Sequence, residues 1–565
     1  HLMKLKMKTR YLLYTLALAA TMSSCESKLD IPQQGTLNMD TYYRTDEDAQ
    51  EALAALYGQW ASCFVNADYM NKVLLADDCF TGGNGPSDGG DRAGFSRAFY
   101  DANCGLVKSM YSGYYTTINR ANLVLDNFAD AADSDIKKQA VAEARFFRAY
   151  CYMELVTLWG NPPLVTRVLS SSEGKVSNTP ASETWAFIES ELEAIINSGD
   201  LTEKQSNTDT QAGVRPTKQT AQAYLGKAYL IQGKYAEALT QFKAVINSGK
   251  YALATGDDYA NLFHLKGNYS SEYLLSNNTV QNASNGYYIP WTFAILNNWI
   301  WGNSKFRVYD EAKFYQFCGY DAETTLGYGF FNPTSKLAEV FVAIEGKDGY
   351  RLNKTILSHD KMHNVVGAWL QGDAQHFEHT GWYRYKLLSR KSDQYPYTAW
   401  GGCAMNLPAM RYAEVLLMAA EAGFKTGDPE AVGYFNQVRV RAQAPTVSVL
   451  TMDIIQNEFF VETCFEGHRY QDLQRWDKNG DIDMTSVLAD KGKKNVYFTT
   501  QRPKSDDKYE RIATEFEYDS WLYYVPATES RAGFSAYEKL LPYPQTELDV
   551  NPNIVQNEGW AVTSE

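Results

Sequence analysis

Apolar residues recur at helical spacing in several long runs of this chain. Over residues 46–64 they fall on one face of a 3.6-residue period, and Thr45 with Asp48 offers a capping-box start. The same periodicity predicts helices over residues 111–128, 136–158 and 184–196. Between the helical runs lie stretches of a different kind. Residues 77–100 contain GGNGPSDGGD, a composition expected to tolerate neither helix nor strand. Residues 264–332 mix polar and aromatic side chains without a period, and loops of this length in a compact protein usually carry function.

The most specific local pattern lies at residues 223–247. Leu225, Gly226, Tyr229, Gly233, Tyr235, Ala238 and Phe242 follow the spacing of a tetratricopeptide repeat. Small Gly226 and Ala238 would let two antiparallel helices approach, with Tyr229 and Phe242 filling the seam. A degenerate copy spans residues 410–440, where Ala420, Gly427, Ala431 and Phe435 echo that seam. One such unit cannot bury its own face, so the earlier helices are its expected neighbours. The predicted fold is mainly α: a tetratricopeptide-like helical-repeat scaffold with long, irregular, loop-rich insertions.

The N-terminal stretch adds a targeting signal. Lys8 and Arg10 precede the uncharged run Tyr11 to Ala20, and small residues lead into Met22-Ser23-Ser24-Cys25. This is a secretory signal, too short to span a bilayer, and its end resembles a bacterial lipobox with Cys25 as the acylated residue. Glu26 to Gln34 reads as a polar tether. His1 and Leu2 precede any start, which falls at Met3 or Met7. The expected organisation is a signal over residues 1–24, then residues 25–330 and 331–565 as two parts of one globular unit. A formal net charge of −14 argues against nucleic acid and against polyanionic ligands, although a local basic patch can survive in an acidic whole. Of eight cysteines, those other than Cys25 are scattered, with neither paired spacing for disulfides nor a CxxC for zinc, and most are expected to be buried.

Several segments, taken in order, resemble the SusD/RagB family of outer-membrane nutrient-binding lipoproteins. They are Arg120-Ala121-Asn122; Glu143 to Tyr150 running on to Trp159-Gly160-Asn161-Pro162-Pro163-Leu164; and Tyr412 to Ala422 with Asn436, Val438, Arg439 and Arg441 after it. Phe465-Glu466-Gly467-His468-Arg469 with Asp472, Leu473, Arg475 and Trp476 follows, and Pro544, Glu547, Asn551-Pro552 and Gln556-Asn557 close the set. Two motifs depart from the family pattern: Glu458-Phe459 replaces Glu-Arg, and Glu558-Gly559-Trp560 replaces Pro-Gly-Tyr. The resemblance implies a lipid-anchored protein exposed at the cell surface, a SusC-like TonB-dependent transporter as partner, and a glycan ligand. Read from spacing alone, Arg469, Asp472 and Arg475 form a charge ladder on one helix face with Trp476 packed at its end.

Sugar recognition needs flat rings that stack on pyranose faces, with amides, carboxylates and guanidinium groups for the hydroxyls. Two loop clusters offer this. One is Asp77, Asp78, Asn84, Asp88, Arg92, Phe95 and Tyr100; the other is Tyr287, Tyr288, Trp291, Asn297, Asn298, Trp299 and Trp301. In the family, as the resemblance implies, loops of these two regions line the glycan site. No cofactor is expected. His359-x3-His363 and His376-x2-His379 have roughly metal-ligand spacing but no HExxH, and a structural calcium at Asp88 and Asp91 lacks the EF-hand order. No GxSxG, phosphate loop or GxGxxG opens a catalytic reading, and Asp77-Asp78 is the one adjacent pair weighed for glycoside cleavage. The expectation is therefore a glycan-binding surface lipoprotein and not an enzyme. The alternatives are a tetratricopeptide-type peptide or protein binder and, behind it, a surface glycoside hydrolase.

Overall fold

The computed structural model describes residues 43–561 apart from 84, 86, 211–213, 280–305, 320–328, 371–373, 389, 394–403, 500–508, 516–520 and 526–532. Cys25, Asn84, Tyr287, Tyr288, Trp291, Asn297, Asn298, Trp299 and Trp301 lie outside the described residues.

The scaffold helices are α1 (Asp46–Cys63), α2 (Gly105–Phe128), α3 (Asp135–Trp159), α4 (Ala181–Ser198), α5 (Lys218–Ile231), α6 (Tyr235–Asn247), α7 (Tyr412–Thr426), α8 (Ala431–Arg441), α9 (Met452–Glu462) and α10 (Arg469–Lys478). Each of α1 to α7 packs on the next, and α9 packs on α7. The capping box at Thr45 and Asp48 is formed, and Ser134 and Thr217 cap α3 and α5 through their hydroxyls. In the α5–α6 seam a Cβ on Gly226 would lie 2.5 Å from the Phe242 ring, so only glycine permits this approach. In the α7–α8 pair that role falls to Gly423, whose added Cβ would meet Ala431 at 2.9 Å. Gly427, placed in the seam by its spacing, instead ends α7 at φ 75° with open space around it. The main core draws residues from Ala49 to Ile554, and a second, smaller core gathers Phe314, Leu357, Met362, Tyr383, Val496 and Leu522.

The stretches expected to be irregular hold short regular pieces. Cys79–Gly82 and Gly90–Arg97 form a strand and a helix within residues 77–100. Residues 264–332 contain the strands Tyr273–Asn277, Phe306–Val308 and Phe330–Pro333 and the helix Glu311–Cys318. Tyr273–Asn277 pairs antiparallel with Leu407–Arg411, which sets Arg411 at the head of α7. There a buried network of charges begins. Arg411 binds Glu272 at 2.5 Å, Glu462 at 3.1 Å and Glu466 at 2.6 Å. Arg441 binds Glu272 at 2.6 Å and also Glu462, and Arg351 binds Glu458 at 2.6 Å and Glu462 at 2.9 Å. Glu458, at the departure from the family motif, thus carries a share of this network, together with Arg439. Removing such charges from water is costly and their mutual attraction offsets it only with good geometry, so the network enforces one arrangement of its segments.

Candidate functional site

Residues 77–100 leave the scaffold through two adjacent carboxylates, and both are inside. Asp77 receives a two-pronged contact from Arg469, at 2.8 and 3.2 Å, and an ion pair from Lys336 at 2.8 Å. Burial opposes its charge, but Arg469 and Lys336 outweigh that and hold the carboxyl well below its usual range. Asp78 accepts the Phe465 N–H at 2.8 Å, and burial pushes its pKa up to about 6. Neither reaches solvent, so this pair is not available for glycoside cleavage. Arg469 is thereby drawn away from the expected ladder; Arg475 alone bonds Asp472, at 2.9 Å, and it also binds Glu421.

Past these anchors the chain runs antiparallel to Phe330–Pro333, with Cys79 opposite Pro333 and Gly82 opposite Phe330. The Thr81 hydroxyl donates to the Arg92 carbonyl at 2.9 Å and its N–H to Ser96 at 3.2 Å, which fastens the helix Gly90–Arg97 onto the strand. That helix ends at Ala98 in the left-handed region, φ 51°, a turn that throws Phe99 outward. Phe99 is 76% exposed.

Beside the turn opens a cavity of about 270 Å³ lined by Phe80, Phe95, Arg97, Glu378, Lys491 and Lys494, among others. Glu378 is fully buried; it meets Arg97 at 3.3 Å, Lys494 at 3.4 Å and the Gly82 N–H at 3.3 Å. Its backbone is held in turn, with the N–H donating to Asn495 at 2.7 Å and the carbonyl accepting from Asn332 at 3.1 Å. Glu378, Asn495 and Phe331 take positive φ, at 46°, 63° and 59°. Such backbone costs about 1–3 kcal/mol per residue and persists where the surroundings over-determine it, a feature that clusters at functional sites.

The candidates named from sequence divide accordingly. Asp78 is corrected to an interior residue just before the strand, and Phe95 is buried on the inner face of its helix, where it lines the cavity. Tyr100 is half-buried between Phe95, with ring centroids 4.7 Å apart, and Trp560, at 5.2 Å, so it packs the loop against the closing segment. Arg92 and Asp88 stay half-exposed on the loop's outer side. Spacing missed Phe99, Arg97, Glu378 and Lys494; the one signal for Phe99 was an aromatic lying beyond the helical run. Of the residues weighed for metals, Asp91 accepts the Gly105 N–H at 3.1 Å, and His379 accepts the Gly381 N–H at 3.1 Å. Among the described residues no group of three or more His, Cys, Asp or Glu is placed to hold a metal. Cys63, Cys79, Cys104, Cys151, Cys318 and Cys464 are buried.

Residues 93–230 match a family model described as starch-binding associating with outer membrane, and residues 366–560 match that of the SusD family. SusD-like protein P2 of Formosa agariphila is 26% identical over 510 residues, covering 82% of this chain and 90% of its own. A solved laminarin binding SusD-like protein superposes with a TM-score of 0.70 at 24% identity, over 92% of this chain and 100% of that one. Surface glycan-binding protein A from Bacteroides thetaiotaomicron, in complex with laminarihexaose, gives 0.67 at 20% identity, over 91% and 100%. These two likenesses show a shared fold. The motif residues account for it physically. Arg148 joins Asn122 to Glu191, Glu421 gathers Arg475 and Trp476, and Asn557 latches onto the Trp159 carbonyl. With its ordered motifs forming the scaffold's own contacts and both family models matched, the chain belongs to the SusD/RagB family.

Proposed function

We propose that this protein binds glycan at the outer cell surface, held by a lipid on Cys25, and hands it to a SusC-like TonB-dependent transporter without cleaving it. The observation that carries the reading is the fastened loop 77–100, which presents the exposed Phe99 ring beside a cavity rimmed by Arg97 and Lys494. A flat ring next to charged donors is the combination that grips a pyranose face and its hydroxyls. The laminarin-binding and laminarihexaose-bound relatives support the same ligand class. The outer-membrane description of the matched family supports the location, and no helix among the described residues is long and apolar enough to cross a membrane.

Calorimetry of the purified protein against a panel of oligosaccharides, with product analysis of each mixture, tests this. Binding without release of new reducing ends is expected. Release of reducing ends would move the protein to the hydrolases, and peptide binding with indifference to every sugar would make it an interaction module. Two further arms test the anchor and the partner. Cys25→Ala should free the protein from membranes, and native extraction of the wild type should bring down a large barrel protein.

A further inference from the structure

A second cavity, of about 490 Å³, shares no residue with the one beside Phe99. One wall is a face of α2 with Tyr115 and Asn119, and another is the loop after α3 with Leu169 and Val176. The closing helix Gln545–Val550 and the turn after it supply Glu547 and Ile554. These walls are pinned to one another. The Tyr115 hydroxyl donates to the Pro163 carbonyl at 2.7 Å, and the Asn122 amide donates to the Val165 and Arg167 carbonyls at 3.2 and 3.1 Å. The Asn551 amide donates to the Val176 carbonyl at 2.7 Å. A cavity held in this way is pre-formed, as ligand sites usually are. Among its described lining residues, Glu547 is the one that is charged at neutral pH. Its half-buried carboxylate makes no hydrogen bond or ion pair with any described residue. Burial raises its pKa, and Lys108, near but unbonded, reverses part of that. Other cations do not serve it: Arg167 is engaged by Glu173 at 2.5 and 3.2 Å, and Arg120 and Lys175 lie outside the lining.

The walls are poorly made for a sugar. Tyr111 is buried, and the Tyr115 ring packs on Tyr111 and Tyr152, with centroids 4.8 and 6.5 Å away, so neither presents an open face to a pyranose. What the site exposes is aliphatic. Leu169 and Val176 are half-buried at its side, while Val550, next to Asn551, and Val555, next to Ile554, are 66% and 72% exposed. Aliphatic surface around a polar anchor is the character of a protein contact. We propose that this cavity is a docking site for a protein partner, which inserts a lysine or arginine side chain onto Glu547 and covers Val550 and Val555 with flanking aliphatic residues. The long basic side chain lays its methylenes on Leu169 and Val176 and carries its charge to the carboxylate. On a chain of net charge −14 the same contact steers the approach of a basic segment. The site stands independently of the glycan reading.

Three probes test it: a benzophenone-tagged pentapeptide with a central lysine between valines and leucines, its glutamine counterpart, and a glucosamine oligomer. Each is titrated against the wild-type protein, Glu547→Gln and Asn119→Trp. The lysine peptide should bind about tenfold tighter than the glutamine peptide and weaken with salt, as a screened charge contact must. Glu547→Gln should abolish that preference. Asn119→Trp, which fills the cavity and leaves the carboxylate in place, should weaken both peptides. Both variants should keep the wild-type melting temperature. Light-induced cross-links from the lysine peptide should map to residues 111–119 and 547–555. Equal or absent binding of the two peptides, cross-links elsewhere, or a lysine preference that survives Glu547→Gln overturns the proposal. A glucosamine oligomer that displaces the lysine peptide overturns it too, because the carboxylate would then serve an amino sugar.

Discussion

Phe95, Phe99 and Tyr100 stand within six residues of one another, yet one is interior, one exposed and one wedged between rings. Substituting Phe95 with Ala should cost about 3–5 kcal/mol of stability, as for a core ring. The change Phe99→Ala should leave the urea midpoint in place while weakening sugar binding by about 1–3 kcal/mol, the range for stacking on an exposed ring. A Phe99 variant that melts early, or binds normally, would contradict the assignment. Composition marked this loop as the place to look but could not say which ring faces water. That depends on the left-handed turn at Ala98, a residue with no sequence signature for it. Arg469 shows the same limit. Spacing on α10 paired it with Asp472, whereas the fold brings it Asp77 from far away in sequence. Arg469→Met should cost about 3–5 kcal/mol because it leaves a buried carboxylate with Lys336 only. Adding Asp77→Asn should recover part of that in a double-mutant cycle.

At the scale of elements, the helices with strong periods were legible and the short strands were not. The α5–α6 pair could be read because its glycine and its rings repeat a known spacing, and Gly226→Ala should destabilise by about 1–3 kcal/mol through overpacking against Phe242. Gly427→Ala should cost about 1 kcal/mol instead, from its positive φ alone, with no clash to relieve. Urea unfolding of the two variants distinguishes a seam glycine from a cap glycine. The true start of α2 at Gly105 escaped notice because Cys104 makes no side-chain cap there. Strands of two to five residues, such as Ile356–Leu357 and Leu407–Arg411, leave too few alternations to read against fully buried sequence.

For the molecule as a whole, acid is the revealing stress. Burial holds His359 and His468 at about 3 and His379 well below its ordinary value, so each is neutral when folded and must charge on unfolding. Their contribution is present above the unfolded histidine value near 6.5 and is lost progressively as pH falls from there towards their folded values. Asp78 works the other way, its raised pKa of about 6 making the fold gain as pH drops from there towards the ordinary carboxylate range. Burial raises Glu143, Glu154, Glu345 and Glu547 as well, but the histidines are the first to charge as pH falls, and the urea midpoint should fall between pH 7 and pH 5. Glu466, held at about 2, extends the decline, because its share is kept above the unfolded carboxylate value and lost as pH falls to its own. A midpoint that rises from pH 7 to pH 5 would mean these histidines are not buried neutral.

The pairing of Cys79–Gly82 with Phe330–Pro333, stitched further to Glu378 and Asn495, has a bearing on assembly in time. Helices α1 to α6 meet their neighbours soon after they emerge, but this strand pair must wait for the chain to close a long loop, and the hydrogen bond that sets Glu378 waits longer still. Synthesis runs from one end, so the scaffold stands while its binding face is unfinished. A ribosome halted before Phe330 would display helices α1 to α6 with the strand Cys79–Gly82 unmoored, susceptible to a protease that the finished protein resists.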